Sequence, residues 1–217
     1  MNQKPSFDLS LYLVTDRELS LGRPLEFIVE EAIKGGVTMV QLRETSCSTL
    51  EFYQLAKKLK ALLQARNVPL IINNRADIAL AVDADGLHIG QSDLPWQVAR
   101  RLLGPDKIIG LSVETLRQAS DANELDIDYI GISPVFATPT KTDTAPPFGL
   151  EGVKAVCAVS RHPSVGIGGI SSQNAAQIIA KGASGIAVVS AISAAENPRQ
   201  AAKLLANIVK NKVYEME

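Results

Sequence analysis

The chain has 217 residues, which fits one α/β barrel or doubly wound domain, or two small domains. A formal net charge of −1 with no basic tail argues against a general nucleic-acid binder. Hydrophobic residues make up 46% of the chain, so a sizeable core can form, and they are mostly Ala, Ile, Leu and Val, which suits buried parallel strands and the helices that cover them.

Short apolar runs alternate with helical patterns from end to end. Residues 9–15 read as the first strand, with Asp16 and Arg17 at its C-terminal end. Pro24 opens a helical segment to residue 34, and Gly35-Gly36 closes it. The second strand is residues 38–43, followed by a helix over 48–66 in which Leu50, Tyr53, Leu55, Leu59, Leu62 and Leu63 fall near helical spacing. The third strand (69–73) leads to a short helix (75–82). The fourth (86–90) leads to a helix that Pro95 starts and that ends near residue 103. The fifth strand (107–113) precedes a helix over 114–124, and the sixth (128–135) precedes a long polar loop and a helix over 150–159. The seventh (163–170) carries Gly166, Gly168 and Gly169, and Ser171 reads as the N-cap of a helix over 173–181. The eighth strand (185–192) is followed by a helix from Pro198 to about residue 210.

Eight strand–helix units in a row is the count for a closed (β/α)8 TIM barrel, spanning 1–217 as one domain with a frayed tail at 211–217. An open doubly wound sheet is the alternative; the regular spacing and the lack of an early Gly-x-Gly-x-x-Gly make it the weaker one. Cys47 and Cys157 have no CxxC spacing and read as reduced thiols of a cytoplasmic protein. The apolar run at 9–14 is too short for a membrane span and is followed at once by charge, so neither a signal peptide nor a membrane partner is expected.

In a barrel, polar residues at strand C-terminal ends converge on one mouth. Here those are Asp16, Arg17, Gln41, Arg43, Glu44, Asn73, Asn74, Gln91, Asp93, Ser112, Thr138, Thr140, Lys141, Gly168, Gly169 and Ser190. In the loop after the sixth strand, Thr138, Thr140, Thr142 and Lys141 crowd around Pro139, which stiffens the stretch; hydroxyls and an ammonium so placed can hold a phosphate or diphosphate. A solvated loop is the competing account. Arg43 and Lys141 beside oxygen ligands such as Asp93 and Asn74 suit a diphosphate bridged by Mg²⁺. Gly168-Gly169 and Ser190 suggest a second anion site, although the glycines could equally serve close packing. Arg43-Glu44 could be an ion pair at the strand end. His88 reads as a core histidine with a satisfied hydrogen bond rather than a catalytic base. Cys47 reads as a structural thiol, and Ser112 lacks a nucleophile-elbow context.

With these residues in place the chain resembles the thiamine-phosphate synthase family. The resemblance rests on Leu11-Tyr-Leu-Val-Thr-Asp-Arg17, Val40-Gln-Leu-Arg-Glu44, Ile72-Asn73, Asp85-Gly-Leu-His-Ile-Gly-Gln91 with Asp93-Leu-Pro95, Gly110-Leu-Ser112, Thr138-Pro-Thr-Lys141, Gly166-Ile-Gly-Gly-Ile170 and Val188-Val-Ser-Ala-Ile192. It implies a (β/α)8 barrel that joins hydroxymethylpyrimidine diphosphate to thiazole phosphate with Mg²⁺ and releases pyrophosphate. Gln41, Arg43, Asn73, Ser112 and Lys141 are implied at the pyrimidine-diphosphate site, with Lys141, Arg43 and Ser112 in catalysis, and Leu42, Glu44, Thr45 and Pro139 are implied as further substrate-binding residues. Thr138, Thr140, Gly169, Val189 and Ser190 are implied on the thiazole-phosphate side, and Asp93 with Asn74 at the metal. The implied mechanism is dissociative: pyrophosphate leaves and the thiazole nitrogen captures the pyrimidine cation. The family usually has Lys where this chain has Thr45, and Asp where it has Asn74; both departures fall on the diphosphate. They also keep open a thiazole tautomerase-like relative or a non-catalytic thiazole-phosphate-binding relative, and a homo-oligomer is left open.

Overall fold

The computed structural model describes residues 6–138 and 145–214. Eight parallel strands close on themselves in the order β1-β2-β3-β4-β5-β6-β7-β8. They are β1 (Leu11–Val14), β2 (Met39–Leu42), β3 (Leu70–Asn73), β4 (Gly86–Ile89), β5 (Ile108–Val113), β6 (Tyr129–Ile132), β7 (Ser164–Ile167) and β8 (Gly185–Val188). The helices are α1 (Leu25–Lys34), α2 (Thr49–Gln64), α3 (Ala76–Ala81), α4 (Trp96–Leu103), α5 (Leu116–Asp121), α6 (Gly149–Val159), α7 (Ala175–Ala180), α8 (Ser190–Ser193) and α9 (Pro198–Tyr214). Closure is made by β1 pairing with both neighbours, Tyr12 opposite Met39 of β2 and opposite Ala187 of β8.

Because side chains alternate along a strand, the strands feed two separate cores. Leu11, Leu13, Val40, Leu42, Leu70 and Ile72 join the large apolar layer between strands and helices. Tyr12, Val14, Met39, Ile71, Ile108, Tyr129, Val165 and Ala187 form a smaller cluster inside the barrel. Gly110 lies opposite Tyr129 in the register, and a Cβ there would overlap the Tyr129 ring, so glycine makes room for the aromatic inside the barrel.

Local chemistry sets several boundaries. Ser48 and Glu51 form a reciprocal capping box that starts α2, and Thr115 with Gln118 does the same for α5. The helix expected over 114–124 therefore begins later and ends in a 3₁₀ turn, Ala122–Glu124. The ladder of β6 stops before Pro134, which has no N–H; Val135 and Phe136 then donate singly to Ile167 and Gly168. Ser171 does not cap α7. Its hydroxyl accepts from Gln173 N and its carbonyl from Asn174 N and Ala175 N, which makes a separate turn and delays the helix to Ala175. The eighth strand ends at Val188, not at residue 192. The chain turns into α8, whose C-terminal carbonyls are held by Arg23, at 2.7 Å from Ser193 O and 2.8 Å from Ala195 O. The last helix runs to Tyr214, beyond the expected end at residue 210.

Candidate active site

A cavity of 780 Å³ opens at the C-terminal ends of the strands. Among the residues lining it are Gln41, Arg43, Glu44, Thr45, Asn73, Asn74, Asp93, Ser112, Thr138, Gly169, Val189 and Ser190. Leu42 is not among them. It is fully buried in the layer between strands and helices, because strand alternation turns it away from its neighbours Gln41 and Arg43. Pro139, Thr140, Thr142 and Lys141 lie outside the described residues.

The β1–β5 side of the mouth is built from charged side chains held by partners. Arg43 does not pair with Glu44. Its Nη1 meets Asp16 Oδ2 at 3.2 Å, and Glu44 Oε2 accepts from Arg17 Nε at 2.9 Å. The loop after β1 thus holds both members of the Arg-Glu step, with Asp16 itself fixed by the backbone N–H groups of Glu18 and Leu19. The Glu44 side chain is 1% exposed, and hydrogen bonding to it raises the pKa of the Arg17 guanidinium. Asp16 and Arg17 do not line the cavity; they orient the residues that do. Arg75, a lining cation that the strand-end reading passed over, is held by Asp77 at 2.6 Å and lies 5.9 Å over the Phe52 ring. Its place directly after Asn73-Asn74 was the available signal.

Asn74 has φ of 49°, a left-handed conformation that asparagine tolerates better than most residues, and its N–H donates to His88 O at 2.8 Å. Asp93 Oδ2 accepts from Gly90 N at 2.8 Å. Among the described residues no group of three or more His, Cys, Asp and Glu could hold a metal. One carboxylate and one amide, both on the cavity wall, nevertheless match the donor set of a Mg²⁺ ion that completes its shell with water and phosphate oxygens. Cys47 also lines the cavity; burial first, and then Glu44, push its thiol up, which makes it a poor nucleophile. Both cysteines are free.

The floor of the cavity is polar and buried. Gln41 Nε2 donates to the Tyr12 hydroxyl at 2.8 Å, and the Tyr12 and Tyr129 hydroxyls are 2.9 Å apart. The Tyr129 hydroxyl is 2.9 Å from His88 Nδ1, and His88 Nε2 is 2.8 Å from Ser112 Oγ. Burial raises the pKa of both phenols, so each keeps its proton. His88 is therefore a buried histidine with both ring nitrogens bonded, and it also lines the cavity. In the sequence Tyr12 and Tyr129 stand out only as members of strands, with Tyr12 also inside the motif at 11–17.

The β6–β8 side is built mostly from backbone. Gly168 and Gly169 have φ of +103° and +64°, and both line the cavity. A Cβ on Gly169 would come within 2.8 Å of Ala137 O and of Phe136 Cβ, so close packing under the segment that leads to Thr138 is part of why glycine stands there. Asn174 Nδ2 donates to Gly169 O at 2.9 Å. Ser190 begins α8 and faces the same cavity.

A closed (β/α)8 barrel with a polar cavity at the C-terminal ends of its strands has the build of a small-molecule enzyme. The family model described as thiamine monophosphate synthase matches residues 11–192. The chain is 51% identical to thiamine-phosphate synthase of Albidiferax ferrireducens, over 93% of this chain and 92% of that one. It is 50% identical to the enzyme of the same name from Alkaliphilus oremlandii, over 97% of this chain and 100% of that one. The solved thiamine phosphate pyrophosphorylase from Pyrococcus furiosus superimposes with a TM-score of 0.87 at 38% identity, covering 94% of this chain and 97% of that one. The chain belongs to the thiamine monophosphate synthase family and is an enzyme of it. Among the described residues no helix is long and apolar enough to cross a membrane.

Proposed function

We propose that this enzyme couples hydroxymethylpyrimidine diphosphate to thiazole phosphate, giving thiamine phosphate and pyrophosphate. The observation that carries the reading is the division of one 780 Å³ cavity into a side with charged side chains and a side with exposed backbone, in a chain that matches the family from residue 11 to 192. One cavity of that size has room for two small substrates. Arg43 and Asn73 bind the pyrimidine diphosphate, with Gln41 and Ser112 at its ring end. Thr138, Gly169, Val189 and Ser190 bind the thiazole phosphate, with Thr140 contributing from the loop. Asp93 and Asn74 would hold Mg²⁺ through oxygen, and the ion would neutralise charge on the leaving pyrophosphate.

No general base is needed at the floor. The residues there are paired to one another, and the work is positioning and charge stabilisation. Arg43, oriented by Asp16, and Lys141 stabilise charge on the departing diphosphate, and Ser112 offers a hydroxyl beside it. The thiazole nitrogen, held by its phosphate on the opposite side, then captures the pyrimidine cation. The reaction uses soluble small molecules, and a cytoplasmic location belongs to the same reading.

The test is pyrophosphate release from hydroxymethylpyrimidine diphosphate with Mg²⁺ titrated, with and without thiazole phosphate. Release that depends on thiazole phosphate is expected. Binding of thiazole phosphate with no release at any Mg²⁺ concentration would overturn the reading in favour of a binding or tautomerase-like relative, which Thr45 and Asn74 would then mark.

A further inference from the structure

The hydrogen bonds under the cavity form one uninterrupted path from β2 to β5: Gln41, Tyr12, Tyr129, His88, Ser112. Its direction follows from elementary donor and acceptor counts. An amide Nε2 can only donate, so the Tyr12 oxygen accepts from Gln41. The heavy-atom geometry allows either direction in the next two bonds, but giving every buried hydroxyl hydrogen an acceptor has Tyr12 donate to the Tyr129 oxygen and Tyr129 donate to His88 Nδ1. The remaining imidazole hydrogen sits on Nε2 and points at Ser112 Oγ. The Tyr12, Tyr129 and imidazole hydrogens are each used once, as is one of the two Gln41 Nε2 hydrogens. At the two ends the path leaves Gln41 Oε1 as an acceptor and the Ser112 hydrogen as a donor, and both residues line the cavity.

The surroundings hold this order in place. Tyr12 and Tyr129 are 1% and 0% exposed, so no solvent can replace a missing partner. Their rings pack edge to face at 6.0 Å, and Gly110 leaves the space the Tyr129 ring occupies. A reversal would require the Gln41 amide to turn over and four hydrogens, on Tyr12, Tyr129, His88 and Ser112, to shift together.

We propose that Tyr12, Tyr129 and His88 are positioning residues that order the protons beneath the cavity, so that the mouth presents an acceptor at Gln41 and a donor at Ser112 and thereby selects an aminopyrimidine over its oxo counterpart. An exocyclic amino group meets the Gln41 oxygen, and Ser112 donates to a ring nitrogen or ester oxygen. An oxo group at the same position would bring two acceptors together, which a site built for hydrogen bonding rejects strongly. The selectivity rests on the substrate reading above; the proton order does not.

Two measurements on the full-length chain test it. The first is ¹⁵N NMR of the His88 ring in the ligand-free protein, where the Nε2–H tautomer is expected and an Nδ1–H tautomer overturns the proposal. The second is calorimetric binding of hydroxymethylpyrimidine diphosphate and its 4-oxo analogue, without thiazole phosphate, to the wild type, Tyr129→Phe and Tyr12→Phe. The wild type should prefer the amino compound by at least about tenfold, and each variant should cut that preference to about threefold or less. A variant that melts as a folded protein and keeps the full preference overturns the proposal. The Nε2–H tautomer together with no binding of either diphosphate would overturn the substrate assignment while supporting the proton order.

Discussion

The two sides of the mouth use different materials. From β1 to β5 the wall carries charged side chains clamped by partners: Asp16, from the loop after β1, clamps Arg43, and Asp77, two residues along the chain, clamps Arg75. From β6 to β8 it is glycine backbone and a serine hydroxyl, with Gly169 pressed under Phe136 and Ala137. On the reading proposed above, the difference matches a multiply charged diphosphate to the side whose charges can be oriented and a phosphate monoester to the rigid backbone surface. The charged side is open to tuning by single substitutions. The backbone side is tied to the packing of the fold.

The sharpest way to break this division is Lys141→Ala, because that lysine follows β6 in sequence yet is assigned to the diphosphate. Turnover should fall about a hundredfold or more, with the thermal midpoint unchanged, in steady-state kinetics beside a melting curve. Near-normal turnover would return the loop to the thiazole side or to solvent. Gly110→Ala asks whether the floor depends on the space left for Tyr129. It should destabilise the fold by about 1–3 kcal/mol, read from denaturant titration, and unchanged stability would mean that the ring can move aside.

Asp16→Asn keeps the shape at the end of β1 and removes the charge that orients Arg43. The KM for the pyrimidine diphosphate should rise by about five- to tenfold while the KM for thiazole phosphate holds. Equal changes in both would erase the distinction between the two sides. Ser190→Ala should do the reverse, raising only the thiazole-phosphate KM by about two- to tenfold, the loss of one hydrogen bond. The smallest effect is expected from Thr45→Lys, which adds a cation to the charged wall; the pyrimidine-diphosphate KM should drop by about two- to threefold, and less at high salt.

Much of this was legible in the residue order. Short apolar runs, Pro24, Pro95 and Pro198 at helix starts, and Gly35-Gly36 at a stop locate all eight strands to within a few residues. The polar residues at strand ends mark the mouth for the same reason. Leu42 was misjudged by treating residues 41–45 as one contiguous stretch, when alternation sends it to the outer layer. The turn into α8 was missed because Val189 and Ile192 look as apolar as the strand before them.

By itself the sequence determined the fold class, the face on which polar residues gather, and the family, because all three follow from local period and from motifs read in order. Only the tertiary structure decided the partners: Arg43 with Asp16, Glu44 with Arg17, and the path from Gln41 through Tyr12, Tyr129 and His88 to Ser112. Tyr12 and Tyr129 lie 117 positions apart and meet across the barrel axis. Their contact depends on how the closed sheet staggers its strands, which no short stretch of chain encodes.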